Sequence, residues 1–265
     1  MKHRISFVLL AVLGFVLLPR LALAAFHIME VEQVIGGVDG DTTAQAVQLK
    51  MRIALQNQLF PNAQLVVRDA AGANPVMLST FGTSTATNPA SGACREVLLV
   101  TSAMAAKTTP AVTADYTMNP IPASYLAAGS LSFETAGGGA TYWRVSWGGA
   151  AYTGPDTVVA GTGAVANDSN GHTAPPFPGP LPSSSAQALH FTPACSLTDP
   201  NTSLSTNSAA DYAPTTGSAT LKNNAAASFV VGLPIPTLPE AARFLLPVLL
   251  GFGVLAFAYK RRRRA

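Results

Sequence analysis

The chain has 265 residues, of which 48% are apolar and only 11% charged, and its formal net charge is +3. That positive excess sits at the two ends: residues 25–239 carry seven Lys or Arg against twelve Asp or Glu, a net of −5. A mildly acidic middle of about 215 residues argues against an electrostatic nucleic-acid binder and suffices for one large all-β domain or two small ones.

Residues 1–24 read as a signal peptide. Lys2, His3 and Arg4 form a positive start, Ile5 to Leu18 an apolar run, and Ala22-Leu23-Ala24 a small-x-small cleavage site. Pro19-Arg20 interrupts the run, which is short for a membrane span; a retained N-terminal anchor is the alternative. The exported domain then covers residues 25–232.

Within it, "FHIMEVEQV" predicts the first strand. In the next segment Val47, Leu49, Met51, Ile53 and Leu55 alternate with Gln48, Lys50 and Arg52, a half-buried strand pattern. The same stretch, "AQAVQLKMRIALQNQL", is rich in helix formers, so a helix is the competing expectation. "QLVVRD", "PVMLSTF", "REVLLVTS" and "SLSFE" follow as short strands. "TYWRVSW" is the clearest: Trp143, Val145 and Trp147 point one way, Tyr142, Arg144 and Ser146 the other. "ALHF" and "ASFVVG" complete the set, with Gly, Pro and Asn in the gaps. Five prolines between Pro175 and Pro182 predict an extended connector across one end of the fold, or a partner-facing loop. Many short strands with turn-rich links predict an antiparallel β-sandwich with long loops.

Cys94 and Cys195 are the only cysteines. In an oxidising compartment one intramolecular disulfide is the default, with two free thiols as the alternative. The bridge would close about 100 residues, worth roughly 4–5 kcal/mol, and would tie both halves into one domain.

The C-terminus has three parts. Pro234, Pro236 and Pro239 keep residues 233–240 extended and accessible. Ala241 to Tyr259 then forms an apolar stretch with one charge, Arg243, at its start, which as a helix would span roughly 28 Å of bilayer. Lys260 to Arg264, in the tail 260–265, stays cytoplasmic by the positive-inside rule; nucleic-acid or lipid binding is the minor alternative for such a run.

Ile235-Pro236-Thr237-Leu238, followed by the apolar helix and the terminal Arg cluster, resembles the IPTL variety of PEP-CTERM sorting signals. The Pro-Glu-Pro core is absent, and Pro239-Glu240-Ala241 stands where Ser-Glu-Trp is common. The resemblance implies an exosortase-type membrane peptidase as partner. It also implies a Gram-negative host, an inner-membrane precursor, and a mature protein at the cell surface or in an exopolysaccharide-containing biofilm matrix. An ordinary C-terminal anchor shares the same topology. Met29-Glu30-Val31 and Val47-Gln48-Leu49 around a Gly-rich turn also resemble the start of a lamin-tail-type immunoglobulin-like domain, which implies that fold for the exported part.

No Gly-x-Ser-x-Gly, His-Glu-x-x-His, Gly-x-Gly-x-x-Gly or Cys-x-x-Cys occurs, so the sequence offers no catalytic residues, and a secreted hydrolase is the weakest expectation. His27 and His190 lie in strand-like apolar surroundings, His172 in a loop. No cofactor is expected apart from calcium, for which Asp39 and Asp41, or Asn167, Asp168 and Asn170, present oxygen ligands on Gly-containing turns. Such turns also arise for backbone reasons alone. Trp143 and Trp147 are expected in the core, with Tyr142 as the surface aromatic for a sugar. The functional expectation is a non-catalytic surface or matrix protein, with a carbohydrate-binding or calcium-stabilised adhesion module as alternative.

Overall fold

The period-two segments fold as strands in the computed structural model, which describes residues 29–52, 63–81, 92–138, 141–155, 175–195 and 208–232. The signal peptide, the sorting motif Ile235 to Leu238, the apolar helix and Asn167, Asp168 and Asn170 lie outside the described residues. No helix among the described residues is long and apolar enough to cross a membrane.

The strands are β1 (Met29–Ile35), β2 (Ala46–Met51), β3 (Ala63–Arg68), β4 (Val76–Thr80), β5 (Glu96–Val100), β6 (Thr108–Thr109), β7 (Tyr116–Thr117), β8 (Gly129–Thr135), β9 (Thr141–Trp147), β10 (Leu189–Phe191), β11 (Tyr212–Pro214), β12 (Thr220–Lys222) and β13 (Ser228–Val231). They form three sheets, in the orders β11-β10-β1-β2-β5-β7, β4-β3-β8-β9 and β12-β13-β6. All pairings are antiparallel except β5 with β7, which is parallel. The described chain is all-β.

Two cores result. The main one lies between the six-stranded and four-stranded sheets, where Met29, Val31, Leu49 and Met51 meet Leu65, Leu131, Phe133, Trp143, Val145 and Trp147. All ten are fully buried. The second lies on the opposite face of the six-stranded sheet, where Ile35, Ala46, Leu98 and Val100 pack against Leu221, Phe229 and Val231 of the three-stranded sheet. The six-stranded sheet is therefore covered on both faces over part of its area.

The expected strand forms and the competing helix does not, because Val47 and Leu49 have ladder partners on both sides, from β1 and β5, while Met51 pairs with β1 and donates its N–H to the Arg95 carbonyl (2.8 Å). The double covering brings one difference from expectation. The polar face expected to meet solvent is buried too, with Gln48 only 1% and Arg52 only 3% exposed. Four strands carry no periodic signal, since β6, β7, β11 and β12 are two or three residues long. Tertiary pairing alone makes them strands.

A hydrogen-bonded chain crosses the main core. Trp143 donates its indole N–H to the Tyr212 hydroxyl (2.7 Å), which donates to the Val31 carbonyl (2.5 Å). It satisfies two polar atoms that burial would otherwise penalise. The proline-rich connector runs across the fold and is pinned there: Phe177 N–H donates to the Ser146 carbonyl, Leu181 N–H to Leu126, and Leu181 is 1% exposed. Gly148 sits where the connector passes, at φ +106°, and a Cβ there would lie 2.4 Å from the Ala128 side chain.

Buried amides stand in for missing ladder bonds. Gln45, fully buried, shares its side-chain N–H groups among the carbonyls of Gly36 (3.2 Å), Thr42 (2.7 Å) and Ile121 (3.0 Å), and its carbonyl accepts from Ile121 N–H (2.6 Å). Gln45→Leu should therefore lower the unfolding free energy by about 3 kcal/mol or more, measured by urea titration, because several backbone groups lose their partner at once. Cys94 and Cys195 are bonded to each other, so the free-thiol alternative falls. Cys94→Ser/Cys195→Ser should cost about 2–5 kcal/mol in the same assay, for a bridge spanning 101 positions.

Candidate functional site

The outer face of β1, β2 and β5, beyond the second core, carries a band of alternating charge. Lys50 stands in register with Glu30 on one side and Glu96 on the other. A bulge after Val31 adds Glu32. Glu32 pairs with Lys50 and accepts from the Gln48 amide (2.6 Å). Arg52 pairs with Glu30, and Lys222 of β12 lies 3.7 Å from Glu96.

Burial dominates the electrostatics of this band. Glu30 is 1% exposed, and loss of solvation pushes its carboxyl up to about 7 in spite of Arg52 and Lys50. Its Oε1 has no hydrogen-bond partner among the described residues. Burial and the neighbouring Glu32 also push Glu96 up, and burial pulls the Arg52 guanidinium down. Asp115, on the same side of the fold, is raised by burial although it accepts the N–H groups of Leu98 (2.8 Å) and Asn224 (2.9 Å).

Beside the charged band the chemistry changes. A groove of about 540 Å³ opens between β10–β11 and β12, floored by Gln33 and His190 and walled by Thr192, Thr216, Ser218 and Thr220. Among the described residues no Asp, Glu, Lys or Arg lines it. Gln33 and His190 are register partners across β1 and β10. The Gln33 amide N–H donates to the Thr220 carbonyl (3.1 Å), while its Oε1, buried, has no partner among the described residues. The His190 imidazole makes no hydrogen bond among the described residues, and burial lowers its proton affinity, keeping it neutral at pH 7.

The residues singled out in the sequence are scattered. Asp39 adopts φ +52°, a turn conformation. The Asp41 carboxylate accepts from Thr43 N–H (3.0 Å) and Thr43 hydroxyl (2.6 Å) and pairs with Lys107 (3.1 Å). The Thr43 hydroxyl and amide, with Lys107, hold it at about 2. Among the described residues no three His, Cys, Asp or Glu side chains gather as a metal site would require. Trp143 and Trp147 are fully buried, as expected. Tyr142 is not a free surface aromatic: it occupies the bulge of β9, its ring 5.5 Å from Phe133, and its hydroxyl accepts from Thr135 (3.1 Å). Gln33, Glu30 and Gln48 were not singled out as functional, although Glu30 and Glu32 preceding Lys50 and Arg52 in adjacent strands is a legible pairing signal.

No family model, curated protein or solved structure matches the chain.

The Glu30 site has a measurable signature. Its folded proton affinity exceeds the unfolded one, so the native state holds an extra proton between about pH 4.5 and about pH 7. Stability should therefore fall as pH rises through that window, by on the order of 1–3 kcal/mol, and Glu96 and Asp115 add in the same direction. Glu30→Gln should lower stability overall by removing the carboxylate that pairs with Arg52, yet flatten this pH dependence in denaturant titrations.

Proposed function

We propose that this chain is an exported, non-catalytic cell-surface or extracellular-matrix protein, sorted through its C-terminal segment. The observation that carries this reading is the order of parts in residues 235–264: Ile235-Pro236-Thr237-Leu238, an apolar stretch, then five consecutive basic residues. The exosortase-type peptidase would read the extended motif while the apolar helix holds the precursor in the inner membrane. Release would then place the β-rich domain on the surface or in the matrix of a Gram-negative cell.

Two structural features support a life outside the cytoplasm. The Cys94–Cys195 disulfide suits an oxidising compartment. The exposed sheet edges are also covered by local devices. Asn119 donates its backbone and side-chain N–H groups to Leu78 and Met77 carbonyls on β4, Pro214 sits in the outermost β11, and Gln33 and Gln48 bond the free edge of β12. Covered edges suppress strand-to-strand association, which a displayed protein at high local density needs. The lamin-tail-type immunoglobulin-like reading of the domain rests on Met29-Glu30-Val31 and Val47-Gln48-Leu49 around a Gly-rich turn. Display requires no reaction, and the buried charges of the band are engaged with one another rather than poised in a cleft.

Intact-mass and C-terminal peptide analysis of the protein from its native host tests the proposal. The expected terminus lies near Leu238, with the apolar stretch removed. A terminus at Ala265 in the membrane fraction would overturn sorting and leave an anchored ectodomain.

A further inference from the structure

We infer that Lys50 and Glu32 become joined by an amide bond between their side chains, a covalent tie between β1 and β2 that the folded chain closes by itself. The inference goes beyond surface display and does not rest on how the C-terminus is processed, because every group involved lies within 30–222.

The sheet holds the two groups in place for such a reaction. The regular ladder sets Glu30 opposite Lys50, yet the bulge after Val31 brings in Glu32, and Glu32 is the carboxylate that Lys50 touches. Bulges re-aim side chains in this way. Arg52 takes Glu30, and Lys222 stands beside Glu96, so Lys50 and Glu32 are left to each other. Glu32 is also oriented. Its Oε2 accepts from the Gln48 amide (2.6 Å), whose own Oε1 is held by the Lys222 N–H of β12 (2.6 Å), while its Oε1 meets Lys50. The pair is enclosed, with the Lys50 side chain 16% and the Glu32 side chain 6% exposed. Amine and acid fixed in contact need no encounter, which removes the entropic part of a barrier that keeps free amines and acids from condensing in water. Burial favours the product as well, since one neutral amide replaces two charges that are costly to desolvate.

The step balances without a co-reactant. Lys50 passes one ammonium proton to the Glu32 carboxylate, giving a neutral amine beside a neutral acid, the forms that a water-poor site favours. The Nζ lone pair attacks Cδ of Glu32 and the C–N bond forms. A second proton then leaves the nitrogen and is carried to the acid hydroxyl, and the C–O bond breaks with loss of one water. Glu96 is placed to carry that proton. It is the β5 neighbour of Lys50, and both reacting groups act on it electrostatically. Burial and the nearby Glu32 push its carboxyl up, towards the range in which it can take a proton and return it. Glu30 is tied to Arg52 and is less suited. The product is a hairpin locked from 32 to 50 by a bond that denaturant does not open. Reduction leaves it intact too, unlike the Cys94–Cys195 bridge.

The test is the mass of the purified full-length chain, with its disulfide reduced, under denaturing conditions. Counted from the N-terminus found, the mass should lie about 18 Da, one water, below that of the sequence. Trypsin should cut after Arg52 but not after Lys50, giving one peptide with the same deficit and no backbone fragment ions between 32 and 50. Lys50→Arg keeps a charge for Glu32 but cannot condense, so it should show the full mass, with a urea transition to report that it folds. Glu96→Gln, unable to relay a proton, should leave most of the chain at full mass. Full mass in the unaltered chain, with ordinary cleavage after Lys50, overturns the proposal, and so does a deficit that persists in Lys50→Arg. Complete cross-linking in Glu96→Gln overturns the relay. If Lys50→Arg does not fold, the peptide map of the unaltered chain decides alone.

Discussion

The fold depends on side-chain amides that take the place of backbone ladder bonds. A chain cut into strands of two to seven residues leaves many N–H and C=O groups without a neighbouring strand, and each unpaired group in the interior is costly. Gln45 closes one such gap by bonding the nearby carbonyls of Gly36 and Thr42 together with the carbonyl and N–H of Ile121, 76 positions away. Gln33 and Gln48, register partners on β1 and β2, close another: together they engage Thr220 and Lys222 on the open edge of β12. Asn224 does the same for the Glu96 carbonyl (3.1 Å). These contacts fix the register of the three-stranded sheet against the larger one, to which apolar packing and the Lys222–Glu96 pair also hold it.

Covering the six-stranded sheet on both faces has an electrostatic consequence. Polar residues of β1, β2 and β5 that would ordinarily meet water are enclosed and must pair among themselves. Alternation of sign across the ladder, Glu30, Lys50 and Glu96, is the arrangement that lets them do so. The arrangement is not fully compensated, since Glu30 retains an unpartnered oxygen and an elevated proton affinity. Buried ion pairs of this kind contribute little net stability, but removing one partner is expensive, so they constrain which strands can lie together. The neutral groove lies where the charged band ends, and the change of chemistry from one to the other occurs within a single sheet face.

Much of the architecture was legible in particular residues. Trp143, Val145 and Trp147 alternate with polar neighbours, and all three are buried in the main core. The other predicted strands also form, because β-branched and aromatic residues between Gly, Pro and Asn leave the chain few alternatives. By contrast, the double burial of β2 was hidden, because Gln48, Lys50 and Arg52 spell a solvent face to any reading of periodicity. Tyr142 misled for a related reason: a bulge rotates it out of strict alternation and onto Phe133. The groove was invisible, since Gln33, His190 and Thr220 are 157 and 187 positions apart from first to second and first to last.

By itself the sequence determined that the chain is a β protein with a signal-like start and a tripartite end, and that one bridge between its two cysteines would bind its halves. Those properties rest on local composition, period and order, which survive without knowledge of what packs against what. Only the tertiary structure decided that β12 and β13 fold back over the outer face of the six-stranded sheet. That choice enclosed the charges of β1 and β2 and set Gln33 beside His190 at the floor of a neutral groove. Such juxtapositions follow from which strands neighbour one another, and strand neighbours far apart in the chain are selected by the packing of the whole core rather than by any local pattern.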